Sequence, residues 1–248
     1  MTDVGRADRI SVGVGAAVRA FLREPIQVAV LLALPLVVIE GYGYAMTAFP
    51  EFPFMEMNAE TMGRLNGAIY AAAFLSGVMG LFQVISAVQA DERLQLCGYS
   101  RAELFVTRLA TVLAASLIVA AVSLAVLLWR VDVAVPTVVF LALTAAALVY
   151  GLLGMLVGAV LPRALEGSLV LVFLVDADDF LSSGMVEIDT RLVELFPLYH
   201  PHQVFQSAVD GSIATGDALV TGAYILCLLG VVAAVYVRVT GNGGVLRG

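Results

Sequence analysis

The sequence contains no lysine: its 13 basic side chains are all arginine. That excludes the phosphate-cradling lysine of a P-loop ATPase and the lysines that form Schiff bases with carbonyl substrates or pyridoxal phosphate. Cysteine is nearly as scarce. Cys97 and Cys227 are the only two, too few for a disulfide scaffold or a four-cysteine zinc site. The only histidines, His200 and His202, are separated by a proline, which is a poor basis for a metal site or a histidine-rich catalytic centre. Charge is sparse, at 13% of residues against 61% hydrophobic; soluble domains carry about a quarter charged residues. The net charge of −7 argues against nucleic acid as a partner.

What is present is apolar sequence in long runs. The mean hydropathy is +0.98, and a chain this apolar cannot cover its own surface in water. A bilayer core of ~30 Å takes ~20 mostly apolar helical residues. The chain offers six such stretches, at about Ile26–Met46, Asn66–Ala90, Leu104–Trp129, Pro136–Leu161, Ala164–Leu181 and Asp217–Val239. The fifth is the least apolar, because Asp176, Asp178 and Asp179 fall at its end. The first 24 residues hold four arginines and no long apolar core, unlike a cleaved signal sequence. The expected fold is therefore a single all-α integral membrane domain over residues 1–248.

Arginine placement orients it. With the N-terminus inside, Arg6, Arg9, Arg19, Arg23, Arg93, Arg101, Arg108, Arg163, Arg238 and Arg247 are cytoplasmic, and only Arg64, Arg130 and Arg191 lie outside. Both termini are then expected in the cytoplasm of a cell-membrane protein. Within residues 1–24, Ile10, Val14, Ala17 and Phe21 share one helical face and Arg19 and Arg23 lie opposite, the pattern of an amphipathic helix on the inner leaflet. Gly13 and Gly15 weaken that helix. No cytoplasmic stretch is long enough to form a domain, so any energised work needs another chain.

Residues 91–103 join the second and third spans. Gly98 suits a left-handed helix end, and Ser100 with Glu103 three residues on makes a capping box. The sequence thus specifies helix, sharp turn, helix: a compact charged elbow of the kind that docks another protein. Among polar residues near the membrane, Glu40 lies ~21 Å up its helix. It either snorkels to the outer interface beside Tyr42 and Tyr44 or lines a pathway. Asp176, Asp178 and Asp179 are expected to face water where their helix exits. Pro201 is expected to start a short helix closed by Gly211. Gln83, Gln89, Ser116 and Ser123 are candidates for hydrogen bonds between helices, and Gly154 with Gly158, or Ala147 with Gly151, for close helix packing. Residues 182–216 hold too many apolar side chains for a free loop.

Several of these features together resemble the membrane subunit of a type-2 ABC exporter. The first is Phe21-Leu22-Arg23-Glu24-Pro25 ahead of a first span interrupted by Pro35. The second is Asp91-Glu92-Arg93 followed by Gly98-Tyr99-Ser100-Arg101-Ala102-Glu103-Leu104 and Arg108, similar to the family's coupling-helix region. The third is Phe196-Pro197-Leu198-Tyr199-His200-Pro201 before the last span, where the family often has a Pro-rich re-entrant segment. The chain departs from the family at Leu96-Cys97-Gly98-Tyr99, where Gly-Thr-Leu or Thr-Pro is common. The resemblance implies six transmembrane helices, an N-terminal interfacial helix and a re-entrant segment within 182–216. It implies a permease half-subunit, not an enzyme, that pairs with a second permease subunit in a homo- or heterodimer. A separate ABC ATPase subunit, which carries the ATP and magnesium, would dock on Glu92, Arg93, Gly98, Ser100, Arg101 and Glu103. Glu40, Gln83, Phe196 and Tyr199 would line the pathway for a drug or lipid-like amphiphile. The competing readings are a secondary transporter and a membrane scaffold or assembly protein.

Overall fold

The computed structural model describes residues 6–48, 58–161, 163–183 and 192–239. Every regular element among them is helical: α1 (Arg6–Leu22), α2 (Pro25–Met46), α3 (Ala59–Ile85), α4 (Val88–Leu96), α5 (Arg101–Arg130), α6 (Pro136–Val160), α7 (Ala164–Ser182), a 3-10 turn at Val193–Leu195, α8 (Tyr199–Val209) and α9 (Thr215–Val239). Five of them, α2, α3, α5, α6 and α9, are long and apolar enough to cross a membrane. The remaining long helix, α7, has 19 residues but carries Glu166 and the three aspartates, so its length suits a bilayer better than its composition does.

The boundaries follow from local chemistry. Pro25 and Pro136 occupy the first turns of α2 and α6, where a missing N–H costs nothing. The α3 helix starts at Ala59, seven residues before the apolar run does, because the Asn58 side chain accepts from the Glu60 N–H at 2.8 Å. It also ends sooner than the expected Ala90. The helix breaks at Ser86–Ala87 and restarts as α4, where the Ser86 hydroxyl donates back to the Phe82 carbonyl at 2.6 Å. Such back-bonding bends and weakens a helix.

Packing centres on α3 and α6. A β-carbon on Gly80 would run into the Gly151 carbonyl, and one on Gly154 into the Gly77 carbonyl, so the two backbones touch as small-residue stripes allow. The glycines of α6 thus serve packing within the chain. The Ser76 and Ser116 hydroxyls hydrogen-bond at 2.7 Å between α3 and α5. The Ser123 hydroxyl is buried without a partner, and the Gln89 side chain lies outside the described residues. The α1 helix buries Phe21 and lays Gly13 against Thr107 of α5, while Arg19 and Arg23 stay exposed. Its inward face is the one read from the sequence, and Gly13 lets it approach closely. By contrast, α2, α7 and α9 turn large apolar side chains outward: Val37, Phe173 and Leu226 are 63%, 73% and 69% exposed. Water does not tolerate so much contiguous apolar surface, and lipid does.

The helices alternate direction, so the molecule has two ends. The elbow end gathers α1, α4 and the start of α5. The far end gathers the start of α3, the end of α5 and α8.

Candidate functional site

At the elbow end, local sequence builds the turn. Gly98 has φ +90°, the left-handed conformation that glycine adopts without strain. The Ser100 hydroxyl accepts from the Glu103 N–H at 3.3 Å, and the Glu103 carboxylate accepts from the Ser100 N–H at 2.7 Å, the reciprocal capping box. Packing then fixes α4 in place. Asp91, 4% exposed, accepts from the Tyr236 hydroxyl of α9 at 2.6 Å and pairs with Arg108 of α5. The Phe105 and Tyr236 rings meet at 5.5 Å, and Arg9 of α1 donates to the Gly98 carbonyl at 3.3 Å. Glu92 and Arg93 remain exposed beside this anchor. Arg101, placed on the docking face by the sequence alone, is half-buried and donates to the Val237 carbonyl at 3.5 Å. Of the six elbow residues, Glu92 and Arg93 therefore offer free charge, and Gly98, Ser100 and Glu103 are structural. Asp91, part of the Asp91-Glu92-Arg93 motif, is the anchor of the elbow, a role that no local pattern marks because its partners lie on distant helices.

At the far end, Glu40 is paired rather than alone. Arg64 donates to it at 3.2 Å and Arg130 at 2.7 Å, and Arg64 also pairs with Glu60. Arg64 and Arg130 were both expected on the outer side, and they meet here between α2, α3 and α5. Gln83 is half-buried near the opposite end of α3. Phe196 and Tyr199 are half-buried at the start of α8. The four expected pathway residues therefore do not converge.

What does converge is α8 with its neighbours. Helix α8 begins at Tyr199, and Gly211 after it has φ +87°, close to the helix the sequence specifies around Pro201. It is held at three points. Asp178 of α7 accepts from the Leu198 N–H at 3.0 Å. The Val209 and Ala208 carbonyls accept from the N–H groups of Ala134 and Val135. His200 and Asp217 of α9 pair at 2.8 Å. Val204, Phe205 and Ala208 are buried, so the described part of 182–216 packs against the bundle. His202 is fully buried with Nδ1 unpartnered and Nε2 2.9 Å from the Gln206 amide. Burial alone pushes its imidazole down to about 4, so it stays neutral at ordinary pH.

The aspartates of α7 overturn the expectation that all three face water. Asp178 is 0% and Asp179 4% exposed; only Asp176 is exposed. Asp178 is saturated by the Tyr150 and Ser182 hydroxyls as well as the Leu198 N–H. Among the described residues, no group of three or more His, Cys, Asp or Glu side chains is placed to hold a metal ion.

The class these features define is an all-α protein whose apolar helices suit a membrane. No family model matches the chain, and none of the curated proteins matches it either.

Proposed function

We propose that this chain is the permease half-subunit of an ATP-driven type-2 ABC exporter. In this reading α7 is a sixth span, the 3-10 turn and α8 form a re-entrant hairpin at the outer face, and both termini are cytoplasmic. Two permease subunits form the pathway, and a separate ATPase docks at each elbow. The observation that carries the reading is α4. A nine-residue helix stands between two long apolar helices, ties its buried Asp91 to α5 and α9, and turns Glu92 and Arg93 outward. A linker serving only to connect two spans needs neither the anchor nor the capping box.

The test is to look for a P-loop ATPase encoded beside this chain, to co-express the two, and to measure recovery of that ATPase on the tagged permease at two salt concentrations. Charge reversal at Glu92 or Arg93 is expected to lower recovery most at low salt, since rim charges act through screened electrostatics. Recovery unchanged by both reversals would remove the docking role. Arg101 is unsuitable for this test because its bond to the Val237 carbonyl mixes structure with docking.

A secondary transporter is the second reading, favoured by the buried Asp178 and Asp179, since carboxylates inside membrane bundles often couple ions to transport. Transport that runs on an ion gradient without ATP distinguishes it.

A further inference from the structure

Arg9, Arg64, Arg101, Arg108, Arg130 and Arg163 each donate to a carboxylate or a backbone carbonyl. Arg19 and Arg23 of α1 do not. Both are exposed, and among the described residues neither side chain has a hydrogen bond or an ion pair. They stand four residues apart, one above the other on a helical face, at a β-carbon spacing of ~5–6 Å. Like charges so placed destabilise a helix by themselves. A phosphate held between them removes the repulsion, because guanidinium groups match phosphate oxygens in charge and geometry. Glu24, exposed next to Arg23, pairs with neither arginine, and Asp8, the acid on the same face, is about three turns away.

The helix that follows sets the depth of this pair. Helix α2 begins at Pro25, two residues after Arg23, and is long and apolar enough to cross a membrane. Arg23 therefore stands where hydrocarbon gives way to headgroups, the layer that holds the lipid phosphates. Apolar side chains are exposed around the pair: Val12 at 66%, Leu22 at 52% and Ile26 at 78%. Water would leave them uncovered, and lipid covers them. The pair cannot roll away from this position. Phe21, between the two arginines, is buried, Gly13 lies against Thr107, and Arg9 donates to the Gly98 carbonyl. An acidic protein is the poorer occupant, because it would have to enter the headgroup layer to reach Arg23.

We propose that Arg19 and Arg23 of α1 form a clamp for the phosphate of an anionic phospholipid in the leaflet at the elbow end, with Leu22 and Ile26 beside its acyl chains. Both guanidinium groups donate to phosphate oxygens. A zwitterionic headgroup is the weaker ligand, because its own ammonium group already faces the phosphate and repels the arginines. The site belongs to α1 and stands whether or not an ATPase docks at the elbow.

The test is equilibrium binding of fluorescently labelled phosphatidylglycerol to the purified full chain in a neutral detergent, read by anisotropy. Phosphatidylcholine with the same label is the zwitterionic comparison. Saturable binding of phosphatidylglycerol, several-fold tighter than of phosphatidylcholine, is expected. Arg19→Gln and Arg23→Gln should each weaken phosphatidylglycerol about fivefold, and together about 25-fold, the weight of one and two basic residues at an anionic surface. Neither should change phosphatidylcholine binding. Arg238→Gln removes another exposed arginine, at the elbow end of α9, and should leave the affinity as it was. Should the double variant fail to elute as a folded monodisperse peak, the two single variants decide. Equal binding of both lipids, unchanged affinity in the Arg19 and Arg23 variants, or an equal loss in Arg238→Gln overturns the clamp. Inorganic phosphate, added last at constant ionic strength, should fail to displace the lipid. Displacement would make the ligand a free anion and overturn the lipid as occupant.

Discussion

Replacing Asp91 with alanine strips two partners at once, leaving the Arg108 guanidinium, 16% exposed at its side chain, without its counter-charge. The variant should lose about 3 kcal/mol, the low end of the range for breaking a buried pair. Thermal unfolding in detergent measures it. Pairing Asp91→Leu with Arg108→Met should restore most of the loss, because two apolar groups leave nothing buried and unpaired. A double variant as unstable as Asp91→Ala would show that the charge pair is not what holds α4. His202 yields a pH dependence. Its folded value is depressed below the ordinary 6.5 to about 4. Between those values the unfolded chain binds the extra proton, so stability falls as pH drops from ~6.5 toward ~4. In His202→Phe, unfolding curves over that window should be flatter than in the parent chain. Residues such as these were poorly legible beforehand. Asp91 and Tyr236 are separated by 145 positions, and Glu40 and Arg130 by 90. No local pattern announces a pair that only helix packing brings together. The same blindness put Asp178 and Asp179 in water: three aspartates at a helix end look solvated until the hydroxyls and N–H that enclose one of them are known.

At the scale of the element, the readable features were the short-range ones. Gly98, Ser100 and Glu103 lie within six consecutive residues, and their chemistry is complete in the sequence, so the turn and cap of the elbow were legible, while its Asp91 anchor and the half-burial of Arg101 were not. Glu103→Ala should cost about 1 kcal/mol through the lost cap, seen as faster amide exchange in the first turn of α5 with the rest of the helix unchanged. The break at Ser86–Ala87 was not legible, because neither proline nor glycine marks it and the apolar run continues across it. Nor was the early start of α3, although Asn58 two residues ahead of Glu60 is a cap signal that hydropathy alone overlooks. The crossing of α3 and α6 is where one methyl group matters most. Gly154→Ala places a β-carbon against the Gly77 carbonyl, and the helices must part or strain. A loss of about 1–3 kcal/mol is expected, as for other overpacked cores. Gly222→Ala on α9, where nothing lies within 4 Å of the added carbon, is the matched control and should leave the melting temperature in place or raise it.

Taken whole, the molecule sorts its arginines to the two ends in the way the charge bias anticipates. Arg9, Arg101 and Arg108 bind around the elbow, and Arg64 and Arg130 meet at Glu40. The orientation is checked by labelling. Cys97 and Cys227 are both exposed, so the experiment needs Cys227→Ser as background. In intact cells a membrane-impermeant maleimide should leave Cys97 unmodified, and after lysis it should react. Modification before lysis would reverse the topology and place the elbow outside, beyond reach of any cytoplasmic ATPase. The all-helical, membrane-suited character was legible at this scale because composition and hydropathy act over whole helices. The tertiary contacts that make α8 part of the bundle were not.

The break between α3 and α4 has a mechanical consequence. A helix is stiff along its axis, and an interruption in its backbone ladder is a joint. Load applied at Glu92 and Arg93 is therefore poorly transmitted along α3, the most enclosed of the helices, whose Gly77 and Gly80 are locked against α6. The stiffer load path runs through Asp91 into Arg108 and Tyr236, and so into α5 and α9. The far end of α9 carries Asp217, which grips His200 of α8. One rigid rod thus links the two ends of the molecule, so a displacement of the elbow should reach α8 at the opposite end more readily than the glycine-packed centre.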